Sequence, residues 1–186
     1  MAKWPAWQKN KTAGISWDRV ARLNQIWADD GGECYADASC KAAMPEGEAF
    51  KCGTVDVLYR HIKTPLFVLE NQYDEEQIFG ELGVPAPNGP QGVVLIAEYL
   101  KYFGRRMRKS LSQIAAPNGL WNPACLDHCD TFYPSIMTVN ISGVGATEAV
   151  GSWYRQNGSG SKHIWQDTCG EGLVGMPCNK GCPLPV

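Results

Sequence analysis

An aspartate and a histidine that could act together in acid–base chemistry each follow a predicted strand. Asp74 lies four residues after the apolar run at residues 64–70, and His128 follows the strand-like start of residues 119–129. A loop and one helix separate them, which is the length that a parallel β-α-β crossover needs. Reactive groups of open α/β sheets lie just beyond the carboxyl ends of the strands, so we expect both side chains at one edge of the sheet.

This pair has the chemistry of the acid and the base of a serine-hydrolase triad. A serine hydroxyl is a weak nucleophile near neutral pH, so an imidazole must accept its proton. A buried carboxylate fixes the tautomer of that imidazole and stabilises the imidazolium. Asp74 would be the orienting carboxylate, and His128 the base and then the acid. Taken alone, an aspartate after a strand is most often a turn or helix-cap residue, and a lone histidine is usually structural or solvated.

The serine that this pair would activate is expected outside this chain. In α/β hydrolases the nucleophile precedes the acid and the base, within a G-x-S-x-G turn that follows a strand. Of the two serines that precede Asp74, Ser16 lacks the second glycine of that turn, and Ser39 lies in a cysteine-containing loop. Cys34 or Cys40 could serve only as a free thiol with a low pKa. We therefore expect the nucleophile-bearing N-terminal part to be absent from this sequence.

The two other histidines are expected to have no catalytic role. His61 precedes the predicted strand, at the end opposite Asp74. His163 lies in a loop rich in glycine and serine, which predicts a surface position.

Helical and strand-like patterns alternate along the chain, which favours an α/β fold. The run at residues 64–70 is continuously apolar, as in a strand buried on both faces, and Pro65 is tolerable at its first position. The longest predicted helix carries one apolar stripe from Val93 to Ile114. The other predicted elements are a helix near residues 16–27, a disulfide-pinned loop at 33–53, a loop at 83–92, a short helix at 147–156 with Thr147 as its cap, and a Gly- and Cys-rich tail at 157–186.

Composition and net charge limit the classes of protein to which this chain can belong. The chain has 186 residues, of which 44% are hydrophobic, enough for one domain with a buried core. Its net charge of −2 gives no global basic field to recruit nucleic acid or an anionic membrane. No apolar run approaches the length of a membrane span. A small basic cluster on a helical pattern is expected to be a solvated face: Arg105, Arg106, Arg108 and Lys109.

The cysteines favour disulfides over a metal site. Their number is even, and most lack the regular pair spacing of a zinc site: they are Cys34, Cys40, Cys52, Cys125, Cys129, Cys169, Cys178 and Cys182. Cys125 and Cys129 flank His128 and could fix its loop. Three triplets fit the N-glycosylation pattern, at Asn10, Asn140 and Asn157. We predict a secreted, disulfide-rich protein without metal or cofactor, whose signal peptide lies upstream of this sequence.

Three segments resemble a known family, the pectin acetylesterase and Notum family of α/β hydrolases. Residues 64–77 resemble its strand and acid motif, in which a Tyr-Asp or Phe-Asp step precedes a glutamine by three residues. Residues 122–129 resemble the histidine motif, and residues 146–154 resemble the helix that follows it in plant-type members. The ending at residues 178–183 is similar to the cysteine-rich end of Notum.

The resemblance implies an extracellular serine ester hydrolase with several disulfides. Asp74 and His128 match the family's triad acid and base, while its serine turn and oxyanion-hole glycines would lie N-terminal to this sequence. Residues 1–186 would then be one partial domain, the C-terminal half of an α/β-hydrolase-like fold. The implied substrate is an acylated polysaccharide or a lipid-acylated protein.

Two other functions compete with the hydrolase. One is an inactive descendant of the same family, a secreted disulfide-rich binding module that retains the acid and the base as relics. The other is a small cysteine-rich structural protein. The buried strand and the long amphipathic helix argue against the latter, because such scaffolds usually lack a sizeable core.

Overall fold

The computed structural model describes residues 37–53, 55–81, 84, 89–128, 134–156, 163–168 and 178–183. The chain divides into two compact units, Met1–Thr64 and Pro65–Val186. The helix predicted near residues 16–27 lies outside the described residues. A single partial domain over residues 1–186 stays a prediction.

In the first unit, short helices surround a disulfide. Helix α1 (Ala38–Ala43) is capped by Asp37, whose carboxylate accepts the N–H groups of Ser39 at 2.8 Å and Cys40 at 3.1 Å. A 3-10 helix (Ala49–Gly53), helix α2 (Val55–Leu58) and a second 3-10 helix (Tyr59–His61) follow. The Cys40–Cys52 disulfide joins α1 to the first 3-10 helix. The segment at residues 33–53, predicted as a loop held by disulfides, does contain a disulfide, but it also contains helices.

A parallel sheet organises the second unit and confirms the predicted α/β fold. Strands β1 (Phe67–Leu69), β2 (Gly119–Asn122) and β5 (Ile164–Gln166) lie in the order β1-β2-β5, and both pairings are parallel. Every residue of β2, the middle strand, is buried. The residues of β1 are only half-buried, contrary to the expectation of burial on both faces, because β1 is the outer strand of the described sheet.

A short antiparallel hairpin stands apart from that sheet. It consists of β3 (Asn140–Ile141) and β4 (Val144–Gly145) and was not predicted. Asn140, one of the three glycosylation candidates, is exposed in β3. Asn10 and Asn157 lie outside the described residues.

The long helix α3 (Gly89–Leu111) connects β1 to β2. Its predicted apolar stripe is buried at Ile96, Ala97, Leu100 and Phe103. The loop predicted at residues 83–92 is wrong for its last four residues, which belong to α3. Proline is tolerated in the first turn of a helix, where its missing N–H has no intrahelical acceptor.

The described residues of the second unit also contain a π-helix (Glu76–Glu81), a 3-10 helix (Pro134–Met137) and helix α4 (Ala146–Arg155). Gly145 is the N-cap of α4 and provides no side-chain bond. Thr147 therefore lies inside the helix and is not its cap, contrary to the sequence prediction. Within the described part of the chain, no helix is both long and apolar enough to cross a bilayer.

The main core lies between the sheet and α4. Trp121 and Cys125 are buried there with Ala146 and Ala149 of the helix. Around them pack the partly buried side chains of Phe67, Leu69, Ile136, Val144, Trp165 and Cys182. Alternate residues of a strand face opposite sides of a sheet, so Trp121 anchors the α4 side while its neighbours in β2 face the other side.

Candidate active site

The segments that follow β1 and β2 stay paired beyond the ends of the strands. Tyr73 and Leu126 form a parallel bridge there. The backbone bonds along this extension run from Glu70 N–H to Trp121 O (3.2 Å), Gln72 N–H to Pro123 O (2.9 Å), Tyr73 N–H to Cys125 O (3.2 Å) and Asp127 N–H to Tyr73 O (3.3 Å). Asp74 and His128 come directly after this paired stretch, so the backbone itself brings them to one edge of the sheet.

Buried amide side chains fasten the ends of the three strands together. Gln72 is fully buried, and its Nε2 donates to the carbonyls of Asn122 at 3.2 Å and Asp167 at 2.7 Å. The Asn122 side chain in turn donates to the carbonyl of Glu70. Because buried polar groups are costly when unpaired, these bonds fix the path of the segment that leads to Asp74.

Tyr73 anchors the same segment to helix α3. Its ring is buried and lies directly on Gly104, where a Cβ atom would come within 2.8 Å of Tyr73 Cζ. Burial raises the pKa of Tyr73 to about 12. A glycine in the middle of a 23-residue helix is unfavourable by itself, and the close approach of the ring explains it.

Asp74 uses its two carboxylate oxygens for two purposes. Oδ1 accepts the backbone N–H of Gln77 at 2.8 Å, and the Asp74 carbonyl accepts the N–H of Ile78 at 3.0 Å. Asp74 thus begins the helical turn that leads into the π-helix, as the helix-cap alternative proposed. Its Oδ2 accepts a hydrogen bond from His128 Nδ1 at 2.9 Å. The residue is 6% exposed, so both bonds form in a largely water-free environment.

The backbone N–H and the Nδ1 atom of His128 are hydrogen-bonded, while its side chain is partly exposed to solvent. Its backbone N–H donates to Asp127 Oδ1 at 2.8 Å, and its Nδ1 is occupied by Asp74. The side chain is 43% exposed, against 9% for that of Asp74. With the proton on Nδ1 directed at a carboxylate, Nε2 is the ring nitrogen that can accept a proton.

Negative charges around the imidazole favour its protonated form. The hydrogen bond to Asp74 is the main cause that raises the pKa of His128; burial opposes it, and the charges of Asp74, Glu76 and Glu70 add to it. Burial also raises the pKa of Glu70 to about 7, with a further contribution from the charge of Asp74. The site therefore contains an acid, Glu70, that changes charge near neutral pH and a base, His128, whose protonated form is favoured.

The structure describes two of the four serine and cysteine residues that were considered as nucleophiles. Ser39 is exposed in the first unit, where its Oγ donates to the Asp37 carboxylate and lies 3.2 Å from His61 Nδ1. Cys40 is in a disulfide and is not a free thiol. Ser16 and Cys34 lie outside the described residues.

His163 is buried, contrary to its predicted surface position. It is 5% exposed, and its carbonyl accepts the N–H of Leu120 at 2.8 Å. Its ring lies beside that of Trp165, with centroids 5.9 Å apart. The Gly- and Ser-rich surroundings predicted a loop, but strand β5 begins at the next residue and pairs with β2, which buries His163.

A disulfide secures the segment that carries His128, through Cys125, one of the two cysteines that flank it in the sequence. Cys125 pairs with Cys182 across 57 residues, and Cys129 lies outside the described residues. Cys178 is also in a disulfide. Together with Cys40 and Cys52, all five cysteines that the structure describes are thus disulfide-bonded. Among the described residues, no group of three or more potential ligands could hold a metal ion.

Sequence reasoning missed Glu70 as a residue of the site, and it gave no role to Gln77, the glutamine of the acid motif. Gln77 Nε2 donates to Glu70 Oε1 at 3.2 Å, while its backbone N–H donates to Asp74. Gln77 stands three residues after Asp74, and Glu70 is a charged residue at the end of an apolar run. The charge of Glu70 in an otherwise apolar segment was the feature of the sequence that could have indicated its place in the site.

Comparisons with known proteins find several relatives of this chain. The model of the pectinacetylesterase family matches residues 9–183. Human palmitoleoyl-protein carboxylesterase NOTUM is 26% identical over 152 residues, which cover 78% of this chain and 28% of the relative. The NOTUM protein of Drosophila melanogaster is 29% identical over 114 residues, 61% of this chain and 16% of the relative.

A solved structure shows the same fold. The structure of the Wnt deacylase Notum from Drosophila matches with a TM-score of 0.72 and 26% identity, covering 94% of this chain and 44% of that chain. A second crystal form of that protein matches equally, with a TM-score of 0.72. The chain therefore spans less than half the length of the relatives that it matches.

Proposed function

Since the chain belongs to the pectinacetylesterase family, we propose that it contributes the acid and the base of a serine carboxylic-ester hydrolase. The observation that carries this proposal is the 2.9 Å hydrogen bond between Asp74 Oδ2 and His128 Nδ1, which joins residues 54 positions apart. A buried carboxylate and a half-exposed imidazole in this relation are the two supporting members of a Ser-His-Asp triad.

In the proposed reaction, His128 Nε2 accepts the proton of a serine hydroxyl as the serine oxygen attacks the ester carbonyl. The carbonyl carbon becomes tetrahedral, and Asp74 stabilises the imidazolium that has formed. His128 then gives the proton to the departing alcohol oxygen as the ester bond breaks, leaving an acyl-serine. Water attacks the acyl-serine by the same sequence, which releases the acid and restores the serine.

The serine is proposed to come from outside this chain. Ser39 Oγ is engaged by the Asp37 carboxylate at the start of a helix, and the surroundings of Ser16 do not match a nucleophile turn. The oxyanion-hole donors, which in this fold belong to the residue after the nucleophile and to an earlier loop, would come from the same region.

The proposed substrates are acylated polysaccharides and lipid-acylated proteins in an extracellular or secretory compartment. The family description names pectin acetyl esters, and the matched relatives are called a palmitoleoyl-protein carboxylesterase and a Wnt deacylase. Disulfides persist in oxidising compartments, which supports the location.

The test is to assay the intact protein with p-nitrophenyl esters of increasing acyl length, and to label it with a fluorophosphonate that reacts with activated serines. We expect hydrolysis that His128→Ala abolishes, and a labelled serine that precedes this sequence. His61→Ala is the matched control, because it removes a histidine of the first unit and should leave the rate unchanged.

Two outcomes would contradict the proposal. Labelling of Ser16 or Ser39 would place the nucleophile inside the chain. A folded, intact protein that hydrolyses no ester and reacts with no fluorophosphonate would favour the binding-module function.

A further inference from the structure

A third carboxyl group lies beside the acid of the proposed pair. Glu70 follows the last residue of β1, and its backbone is fixed on both sides: its N–H donates to Trp121 O at 3.2 Å, and its carbonyl accepts from the Asn122 side chain. The charge of Asp74 acts on the Glu70 carboxyl group. The neighbouring strand thus holds the backbone of Glu70 four residues before Asp74.

Gln77 connects the two carboxyl groups. Its backbone N–H donates to Asp74 Oδ1 at 2.8 Å, and its side-chain Nε2 donates to Glu70 Oε1 at 3.2 Å. One residue thus sets the position of both acids. The remaining oxygen of Asp74, Oδ2, is the one that accepts from His128.

Two carboxylates that bind the same residue repel each other, so this arrangement favours the neutral form of one of them. A protonated Glu70 can donate a hydrogen bond to Asp74, which keeps Asp74 ionised and directed at the imidazole. An ionised Glu70 cannot donate, and it adds a second negative charge beside the pair.

We propose that Glu70 is a positioning residue for the acid–base pair: as a neutral acid it donates a hydrogen bond to Asp74 and holds that carboxylate toward His128, and its ionisation makes His128 retain its proton. The inference rests on the proposed function, which it deepens by coupling the protonation of the base to a third residue.

The charged groups around Glu70 give the direction of this coupling. Asp74 raises the pKa of Glu70 beyond the effect of burial, while His128 and the Gln77 amide lower it. Around His128, the charges of Asp74, Glu76 and Glu70 raise its pKa, and the charge of Glu75 also interacts with the imidazole. Glu70 and His128 therefore titrate as a coupled pair, in which loss of the proton from one strengthens its retention by the other.

The experiment follows both groups by NMR in the intact, folded protein, without requiring turnover. The ring carbon of His128 and the carboxyl carbon of Glu70 are titrated in the wild type, Glu70→Gln, Asp74→Asn and Glu75→Gln. In the wild type, Glu70 should titrate near neutral pH rather than near its ordinary value of about 4.3. In Glu70→Gln, the pKa of His128 should fall by about half a unit or more.

Glu75→Gln is the matched control. Glu75 adjoins Asp74 in sequence and carries the same charge, but it is exposed, so its removal should move the pKa of His128 less. Asp74→Asn tests the contact from the other side, and it should lower the pKa of Glu70 because the neighbouring charge disappears.

A Glu70 that titrates like an exposed glutamate would overturn the inference, and so would equal shifts in Glu70→Gln and Glu75→Gln. If Glu70→Gln does not fold, the titration of Glu70 in the wild type and in Asp74→Asn still tests the inference.

An intact protein that is inactive toward every ester, but in which Glu70 and His128 are coupled, would count against the proposed function alone. In an active protein, Glu70→Gln should move the acid limb of kcat/KM to lower pH.

Discussion

The ring of Tyr73 lies against Gly104 of helix α3, so that a Cβ at residue 104 would come within 2.8 Å of the phenol. Tyr73 immediately precedes Asp74, and its backbone pairs with the segment that leads to His128. A close contact between α3 and this segment thus occurs one residue before the proposed acid.

Gly104→Ala should therefore damage both stability and activity. Alanine favours a helix over glycine by about 1 kcal/mol, but overpacking against a buried ring costs about 1–3 kcal/mol. We expect a net loss in the free energy of unfolding, measured by urea denaturation, together with slower ester hydrolysis as Tyr73 moves.

Gly151→Ala provides the comparison for that substitution. Gly151 is also inside a helix, but its Cβ would meet only the end of the flexible Arg155 side chain, at 3.2 Å. This variant should be as stable as the wild type or slightly more so. Equal losses in the two variants would show that the Tyr73 contact is not the cause.

Asp74→Asn should leave a folded protein with very little activity. An asparagine amide can still accept the N–H of Gln77, but it removes the charge that stabilises the imidazolium and can favour the wrong tautomer of His128. The corresponding change in another serine hydrolase lowers kcat about 10,000-fold. We expect a loss of kcat of that order with KM little changed, measured with p-nitrophenyl acetate on the intact protein; a loss below tenfold would argue against the triad role.

The activity of the wild type should rise with pH through the pKa of His128. That pKa lies above its ordinary value of about 6.5, chiefly because Asp74 accepts its hydrogen bond. Only the neutral imidazole can accept the serine proton, so the acid limb of the kcat/KM profile should lie above that value. A limb at or below it would contradict the role of the Asp74 contact.

Stability should fall as pH rises through the neutral range. Glu70 and His128 both have raised pKa values in the folded state, so each holds its proton more tightly there than in the unfolded chain. For Glu70 the loss should occur between its ordinary pKa and about 7, and for His128 it should begin near pH 6.5. Urea denaturation at pH 5 and pH 8 measures it, and Glu70→Gln should make the difference smaller.

Removing the two described disulfides should have unequal effects. The chain-entropy relation gives about 4 kcal/mol for a loop of 57 residues and about 3 kcal/mol for one of 12. The double variant Cys125→Ser/Cys182→Ser should therefore lose more stability than Cys40→Ser/Cys52→Ser. Only the first should also lower activity, because Cys125 lies three residues before His128. Thermal unfolding and ester hydrolysis of both variants measure these effects.

The sequence was informative where a single strong pattern decided the structure. The apolar run before Asp74 and the strand-like residues before His128 predicted adjacent parallel strands, and their ends therefore coincide in space. The stripe of α3 was also evident, since its spacing extends over more than five turns. These features depend on periodicity and chain order, which local sequence contains.

Other features depend on contacts that no local pattern reveals. Strand β5 has three residues within a Gly- and Ser-rich surrounding, and only its pairing with β2 makes it a strand and buries His163. The partner of Cys125 could not be known, because disulfide connectivity depends on the fold. The link between Glu70 and Asp74 through Gln77 likewise depends on how Gln77 turns back toward β1.

The bridge between Tyr73 and Leu126 determines when the order of this site is established. It belongs to the same hydrogen-bonded ladder as the sheet, so the orientation of Asp74 toward His128 arises as the chain folds and precedes any encounter with a ligand. The entropy of aligning the two side chains is thus lost once per molecule rather than once per reaction cycle. This edge of the sheet should therefore behave as a rigid template, with induced fit confined to whatever surface approaches it.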